Sequence, residues 1–399
     1  MNLLFVAAEP TYPPNSGDRI RMYHLIKNLS FKHRISLICM VRGDEEARNM
    51  LHMGLYCKEI RCFYRPPRRY KAAVTRALDF LFGPPYYVQD FWSEEMAQAL
   101  KETVSKERFD LVHFDLVGVA QYVDYVGDVP KVFTAHDIFF IKTKRYLKAE
   151  QPLMEKLGTF RDCLKFHRYE PRIYKKFDHV IVTSEEDALH LRRRCPGLEL
   201  SVVPNGVDTE FYRPRPDQEE DHILVYTGTM NNLANTDAMV HFVRDVLPYI
   251  KERVPKVKLY VVGRDPSEPV KRLAEEDSSV VVIGEVEDVR PYIARAGVYV
   301  VPLRIGSGTR LKILEALAME KAVVSTPVGC EGLRVRHGRE VLVAEGPRKF
   351  ASYVVKLMED KGLRRRLGRN GRRLVEREYD WRICAQRLER TLKEVSNRS

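Results

Sequence analysis

Residues 300–319, Val-Val-Pro-Leu-Arg-Ile-Gly-Ser-Gly-Thr-Arg-Leu-Lys-Ile-Leu-Glu-Ala-Leu-Ala-Met, hold the densest set of groups able to do chemistry. A strand pattern ending at Pro302 runs into a glycine turn, Gly306-Ser307-Gly308. A helical pattern follows, with Leu311, Leu314, Ala318 and Met319 on one side. Glycines let the backbone approach a ligand closely, and the first turn of a helix offers unpaired amides at the positive end of its dipole. Together these features form an anion site suited to phosphate. Arg304, Arg310 and Lys312 add cations within reach. Glu315, one turn into the helix, is placed to accept hydrogen bonds from a ribose diol. A tight structural turn followed by a solvated carboxylate fits the same residues. The spacing Gly-x-Gly-x-x-Leu lacks the third glycine of a dinucleotide fingerprint and falls late in its domain, which disfavours a nicotinamide dehydrogenase.

Such a turn needs a parallel sheet behind it. Apolar runs at 2–8, 35–41, 60–63, 111–114, 132–135, 180–183 and 200–203 alternate with helix-length segments. They predict an open, doubly wound α/β domain over 1–208. Turn-rich Pro204-Asn-Gly-Val-Asp208 and Tyr212-Arg-Pro-Arg-Pro216, followed by an acidic stretch, predict a linker at 209–220. Alternation then restarts at 223–227, 257–262, 280–283, 298–302 and 322–325, with a helix over 234–253, giving a second α/β domain at 221–378. Residues 379–399 are expected to form a C-terminal helix that packs back on the first domain.

The 399 residues carry 67 Lys and Arg against 55 Asp and Glu, a net charge of +12 that favours an anionic partner. Nucleotide phosphate, nucleic acid and an acidic membrane surface all qualify. The basic tail, with Arg364, Arg365, Arg366, Arg369, Arg372 and Arg373, lacks interleaved aromatics, so it reads as a solvated face and not as a nucleic-acid stripe. Seven scattered cysteines with no CxxC pair and no zinc-ligand spacing point to a reduced compartment. No run approaches the roughly 18 to 20 apolar residues of a spanning helix, and the apolar start at 3–8 is too short for a signal peptide. The expectation is a cytoplasmic protein, or one peripheral on the inner face of the membrane. Residues 64–82 set Val74, Leu78, Leu81 and Phe82 beside Arg69, Lys71 and Arg76. They fit a basic amphipathic helix on an anionic membrane or an ordinary packed helix.

The segment ending in Glu315-Ala-Leu-Ala-Met319, with Ala322-Val-Val-Ser-Thr-Pro-Val-Gly-Cys-Glu-Gly332 after it, resembles the donor-site region of family 4 glycosyltransferases. Further motifs in the family's order extend the resemblance over nearly the whole chain. They are Pro13-Pro-x-x-Gly17-x-x-x-Arg21, Thr134-Ala-His136-Asp137, Val203-Pro-Asn-Gly-Val-Asp208, Tyr226-Thr-Gly-Thr229 and Val261-Val-Gly-Arg-Asp265. The resemblance implies a GT-B fold, two Rossmann-like, doubly wound parallel-sheet domains facing a cleft. The implied activity is retaining transfer of a sugar from a UDP- or GDP-sugar to a glycan or lipid-linked acceptor, in cell-surface polysaccharide or glycolipid synthesis. It further implies a front-face route in which the leaving phosphate helps deprotonate the acceptor, with no metal and no cofactor besides the donor itself.

Carried onto this chain, the resemblance implies catalytic roles for His136, beside the transferred sugar, and for Arg310 and Lys312. It implies donor contacts from Gly17, Gly228, Thr229, Arg264, Gly284, Val286, Arg304, Gly306, Ser307, Gly308, Thr309, Leu311 and Glu315. The family commonly has two glutamates eight positions apart here; the second is Glu315, and the first falls on Ser307. The departure resembles a branch of the family with a Gly-x-Gly-Thr-Arg-Leu-Lys loop, and that resemblance implies that backbone amides and the hydroxyls of Ser307 and Thr309 replace the carboxylate. The Arg and Lys often found after the first strand of the nucleotide domain are also missing from 229–235. Two other readings accompany this one: a nucleotide-sugar-binding protein that has lost catalysis, and a nucleotide-sugar epimerase. His136 as a structural imidazole and Gly17 as a helix-entry turn stand beside their functional readings.

Overall fold

The computed structural model describes residues 1–66, 83–147, 152–306, 308 and 310–398. The basic segment 67–82 and the positions Ser307 and Thr309 lie outside the described residues. The chain forms two compact units, Met1–Pro204 with Trp381–Ser399, and Asn205–Asp380.

The first unit is built on seven strands: β1 (Asn2–Ala7), β2 (Arg34–Val41), β3 (Glu59–Tyr64), β4 (Leu111–Asp115), β5 (Lys131–Ala135), β6 (His179–Val182) and β7 (Leu200–Val202). They run in the order β3-β2-β1-β4-β5-β6-β7, all parallel. Leu3, Leu4, Phe5, Val6 and Ala7 are all buried, whichever way they point, because the sheet is covered on both faces. That is why β1 reads as a continuous apolar run and not as an alternation. Strand order reverses between β1 and β4, so the connections leaving their carboxyl ends diverge and open a crevice there.

Helix Gly17–Leu29 follows β1, and the C-terminal helix Trp381–Ser396 packs against it. The His24 ring stacks on Trp381 with centroids 5.3 Å apart, and Leu388 and Leu392 are fully buried. Arg21 is fully buried as well. Its guanidinium donates to the carbonyls of Val203 (2.9 Å) and Pro204 (3.0 Å), where the chain leaves β7. The arginine of the Gly17 motif therefore holds the helix to the far end of the unit's chain.

The second unit has six strands: β8 (Glu220–Thr227), β9 (Lys258–Val262), β10 (Val280–Gly284), β11 (Ala296–Val301), β12 (Val323–Ser325) and β13 (Leu342–Val343). Their order is β10-β9-β8-β11-β12-β13, again parallel throughout. The order reverses between β8 and β11. Residues 209–220 belong to this unit: Arg372 donates to the carbonyls of Thr209 (3.0 Å) and Tyr212 (2.8 Å), and Thr209 donates to Asp380 (2.5 Å). Among the described residues no helix is long and apolar enough to cross a membrane.

At the carboxyl ends of β8 and β9 the backbone crosses itself with no room for a side chain. Gly228 donates its amide to Val262 at 3.0 Å, and a Cβ on Gly263, whose φ is +148°, would lie 1.8 Å from the Gly228 carbonyl oxygen. Gly263→Ala should therefore destabilise the protein by about 3 kcal/mol, through a forced backbone shift. A urea-unfolding midpoint equal to that of wild type would show that the crossing relaxes freely.

Candidate active site

The reversal of strand order in the second unit brings together the turn after β8 and the loop after β11. Arg310 precedes helix Leu311–Ala318 in an extended conformation, and no side chain caps that helix among the described residues. Gly306 has φ +126°, and a Cβ there would meet the Arg310 guanidinium at 2.6 Å. Glycine at 306 thus leaves the space the guanidinium occupies. Gly308, with φ +76°, completes the turn.

Lys312 is the central cation. Its Nζ donates to Asn235 Oδ1 at 3.0 Å and lies 4.0 Å from the centroid of the Tyr226 ring. It also sits where a Cβ on Gly228 would be, 2.7 Å away. Tyr226 donates to the same Asn235 oxygen (2.6 Å), and Asn235 Nδ2 donates to the Thr229 carbonyl (2.8 Å). The turn 229–235 contains no Arg or Lys, and Lys312 delivers an amine to it from a different helix. Burial, and then the nearby Arg310, push the Lys312 ammonium down from 10.5 to about 7, with Glu315 opposing. Glu315 is raised above the usual carboxylate range by burial, against a hydrogen bond from Tyr212 and the charge of Lys312. Tyr299, close to Glu315, shares a 2.5 Å hydrogen bond with Thr227.

Other residues expected at this site are placed less centrally. Arg304 forms a two-pronged ion pair with Asp237, its Nε 3.0 Å from Oδ2. Arg264 accepts the Met230 amide on its carbonyl (2.9 Å), while its side chain lies 4.0 Å from Asp265. Gly284 ends β10 with φ +82° and accepts the Gly263 amide at 2.8 Å; Val286, half-buried, follows. Leu311 packs against the core. The expected contacts of Ser307 and Thr309 lie outside the described residues.

In the first unit, the crevice between β1 and β4 gathers a second set of groups. His136 follows β5, and its Nε2 lies 2.8 Å from Oδ1 of Asp115, the buried last residue of β4. The hydrogen bond to this carboxylate sets the orientation of the His136 ring. Arg21 lies within Coulomb range of Asp115. Gly17 is exposed and opens its helix; beside it, Asp18 is raised by burial and drawn back down by His136. The chain after His136 is clamped from below. Glu170 accepts the Phe139 and Phe140 amides (2.7 and 3.1 Å) and the Tyr174 hydroxyl (3.0 Å), and burial raises it to about 7. Asp18, Asp115, Tyr212 and Asn235 are residues that motif reading passed over.

Two parallel-sheet Rossmann-like units of this topology define the GT-B class. Sucrose-phosphate synthase from Thermosynechococcus elongatus superposes on the whole chain, and on all of its own, with TM-score 0.73 at 17% identity. The family follows from the sequence: residues 19–211 match Glycosyltransferase Family 4 and residues 221–360 match Glycosyl transferases group 1. The chain belongs to this family of glycosyltransferases, which move sugars from nucleotide-sugar donors. It is 21% identical over 391 residues to an uncharacterized 44.6 kDa protein of the cps region of Klebsiella pneumoniae, covering 95% of this chain and 96% of that one. A GDP-mannose-dependent phosphatidylinositol monomannoside mannosyltransferase from Mycobacterium tuberculosis is 27% identical over 217 residues. That alignment spans 48% of this chain and 55% of the relative.

Proposed function

We propose that the protein is a retaining glycosyltransferase moving a hexosyl group from a UDP- or GDP-sugar to a glycan or lipid-linked acceptor, in cell-surface polysaccharide or glycolipid synthesis. The observation that carries this reading is the meeting of Lys312, Arg310 and the start of helix Leu311–Ala318 at the carboxyl ends of β8 and β11. A nucleoside diphosphate carries its charge in the groups such a place binds best. Glu315, released from Tyr212, takes the ribose diol. Gly228, Thr229 and the 306–309 turn hold the diphosphate through the backbone, and Gly284 to Val286 border the base. His136 meets the transferred sugar, and the exposed Gly17 turn approaches the phosphates. The reading assigns no metal and no resident cofactor. The relative that mannosylates phosphatidylinositol monomannoside supports a lipid-linked acceptor.

In the reaction, the bond between the sugar C1 and the β-phosphate oxygen breaks as the acceptor hydroxyl bonds to C1 on the same face. The hydroxyl proton passes to the departing phosphate. Negative charge grows on the diphosphate, where Lys312, Arg310 and the helix amides are already oriented, so they stabilise the transition state more than the ground state.

Incubation with UDP-, GDP- and ADP-hexoses, following both transfer and slow hydrolysis, tests this reading. Turnover of one donor class is expected, and Glu315→Ala should raise the Kd for its nucleoside diphosphate about 10- to 100-fold. Persistent binding with neither transfer nor hydrolysis is the signature of an inactive binding protein. Interconversion of the sugar with no acceptor present identifies an epimerase.

A further inference from the structure

Helix Leu153–Tyr174 carries two apolar faces. One, through Phe166, Ile173 and Tyr174, is buried in the first unit's core. The other runs along Leu153, Leu157, Phe160 and Leu164, spaced four, three and four, so that the side chains align in one stripe three turns long. Their relative exposures are 72%, 55%, 53% and 46%, and Met154 at the edge of the stripe is 79% exposed. Single exposed apolar residues are ordinary on a protein surface, but an aligned row of them marks a contact surface.

The surrounding charges select the partner. On this helix and the neighbouring Phe139–Tyr146, the exposed charged side chains are Lys144, Lys156, Arg168 and Arg172 against the single acid Glu155. Pairing the stripe with a second copy of itself would bring two basic rims together with few acids to match. An anionic bilayer supplies both halves of the complement: hydrocarbon for the stripe and negative headgroups for the rim.

We propose that the Leu153-Leu157-Phe160-Leu164 stripe seats the protein on an anionic lipid bilayer, the helix lying in the interface plane with its apolar row among the upper acyl carbons. This deepens the reading of a lipid-linked acceptor, but its test involves no sugar, so either can fail without the other. The full chain is sedimented with vesicles of phosphatidylcholine and phosphatidylglycerol, and with phosphatidylcholine alone. Leu157→Glu with Phe160→Glu, and separately Leu157→Ser with Phe160→Ser, change exposed positions; their thermal unfolding is checked against wild type.

Wild type is expected on the anionic vesicles, with part of the binding surviving 0.5 M salt because it comes from insertion. The paired Glu variant should lower the partition coefficient about a hundredfold and the Ser pair somewhat less. Arg365→Glu with Arg369→Glu, on the exposed face of helix Lys361–Glu378, serves as a comparator and should change binding little. The proposal is overturned if wild type stays in the supernatant, or if binding is lost in the arginine variant and kept in the Leu157 and Phe160 variants. It is equally overturned if wild type is a dimer that the paired variants dissociate, since the stripe then faces a second copy.

Discussion

Binding of a nucleoside diphosphate above pH 7 should take up about one proton, and Lys312→Met should abolish the uptake. The ligand-free Lys312 amine sits under the Tyr226 ring beside Arg310 and is half-protonated at about pH 7. At pH 8 it is mostly neutral. A diphosphate arriving next to it favours the ammonium, so the bound-state pKa lies above the free one and a proton is drawn from solution. Donor affinity should then fall by up to tenfold per pH unit above 7, until the bound-state value is reached. Stability of the ligand-free protein responds in the opposite direction. An unfolded lysine near 10.5 binds its proton throughout the window in which the folded one has released it, so this group makes folding more favourable as pH rises from 7 toward 10.5. Calorimetry of nucleotide binding in two buffers of different ionisation enthalpy measures the uptake directly. Equal uptake by wild type and Lys312→Met would mean that the amine does not face the diphosphate. Turnover carries the larger effect: removing both Arg310 and Lys312 should lower kcat by about 10²- to 10³-fold, since charge on the leaving group grows only as the reaction proceeds.

The strands and the helix that follows β11 were legible because both depend on neighbours in sequence. A parallel strand covered on both faces must be apolar at every position, so β1, β2, β8 and β11 stand out as runs, and each strand end marks where a site can lie. Strand β13, two residues long, has no period to detect. The helix expected over 234–253 is helical throughout but opens into a wider turn at Phe242–Val246, just before Pro248, which has no amide to donate. What stayed hidden in the site is what folding brings from a distance. Tyr212 lies in a stretch whose prolines read as a linker, 103 positions from the Glu315 it contacts. Asn235 lies in the first turn of helix Leu233–His241, in the segment whose feature in the sequence was missing cations, yet its carboxamide accepts from a cation, Lys312, that reaches it from another helix. Arg304 carries the charge expected of a phosphate ligand, and only the fold reveals Asp237 opposite it. Motifs identify a residue's chemistry, while its partner sets which way that chemistry points.

The His136–Asp115 pair makes that dependence measurable. Asp115→Asn should lower transfer about a hundredfold while changing the Kd for nucleoside diphosphate little, because the substitution reverses a hydrogen bond without moving an atom. An aspartate at the end of β4 can only accept from His136 Nε2, and on the proposed reading the Nδ1 lone pair then accepts from the donor sugar. An asparagine amide can donate to Nε2 instead, which moves the imidazole proton to Nδ1 and turns an acceptor into a donor. His136→Ala should cost about as much, and the double variant little more than either alone, since both substitutions disable one unit. Asp115 is buried, so lost stability is the competing explanation for any fall in rate. Thermal unfolding of the three variants separates the two: a destabilised protein loses transfer and nucleotide binding together, whereas a reversed imidazole loses transfer alone. Additive losses in the double variant would place His136 and Asp115 in separate roles, and the imidazole would then be holding β4 to β5 and not meeting the sugar.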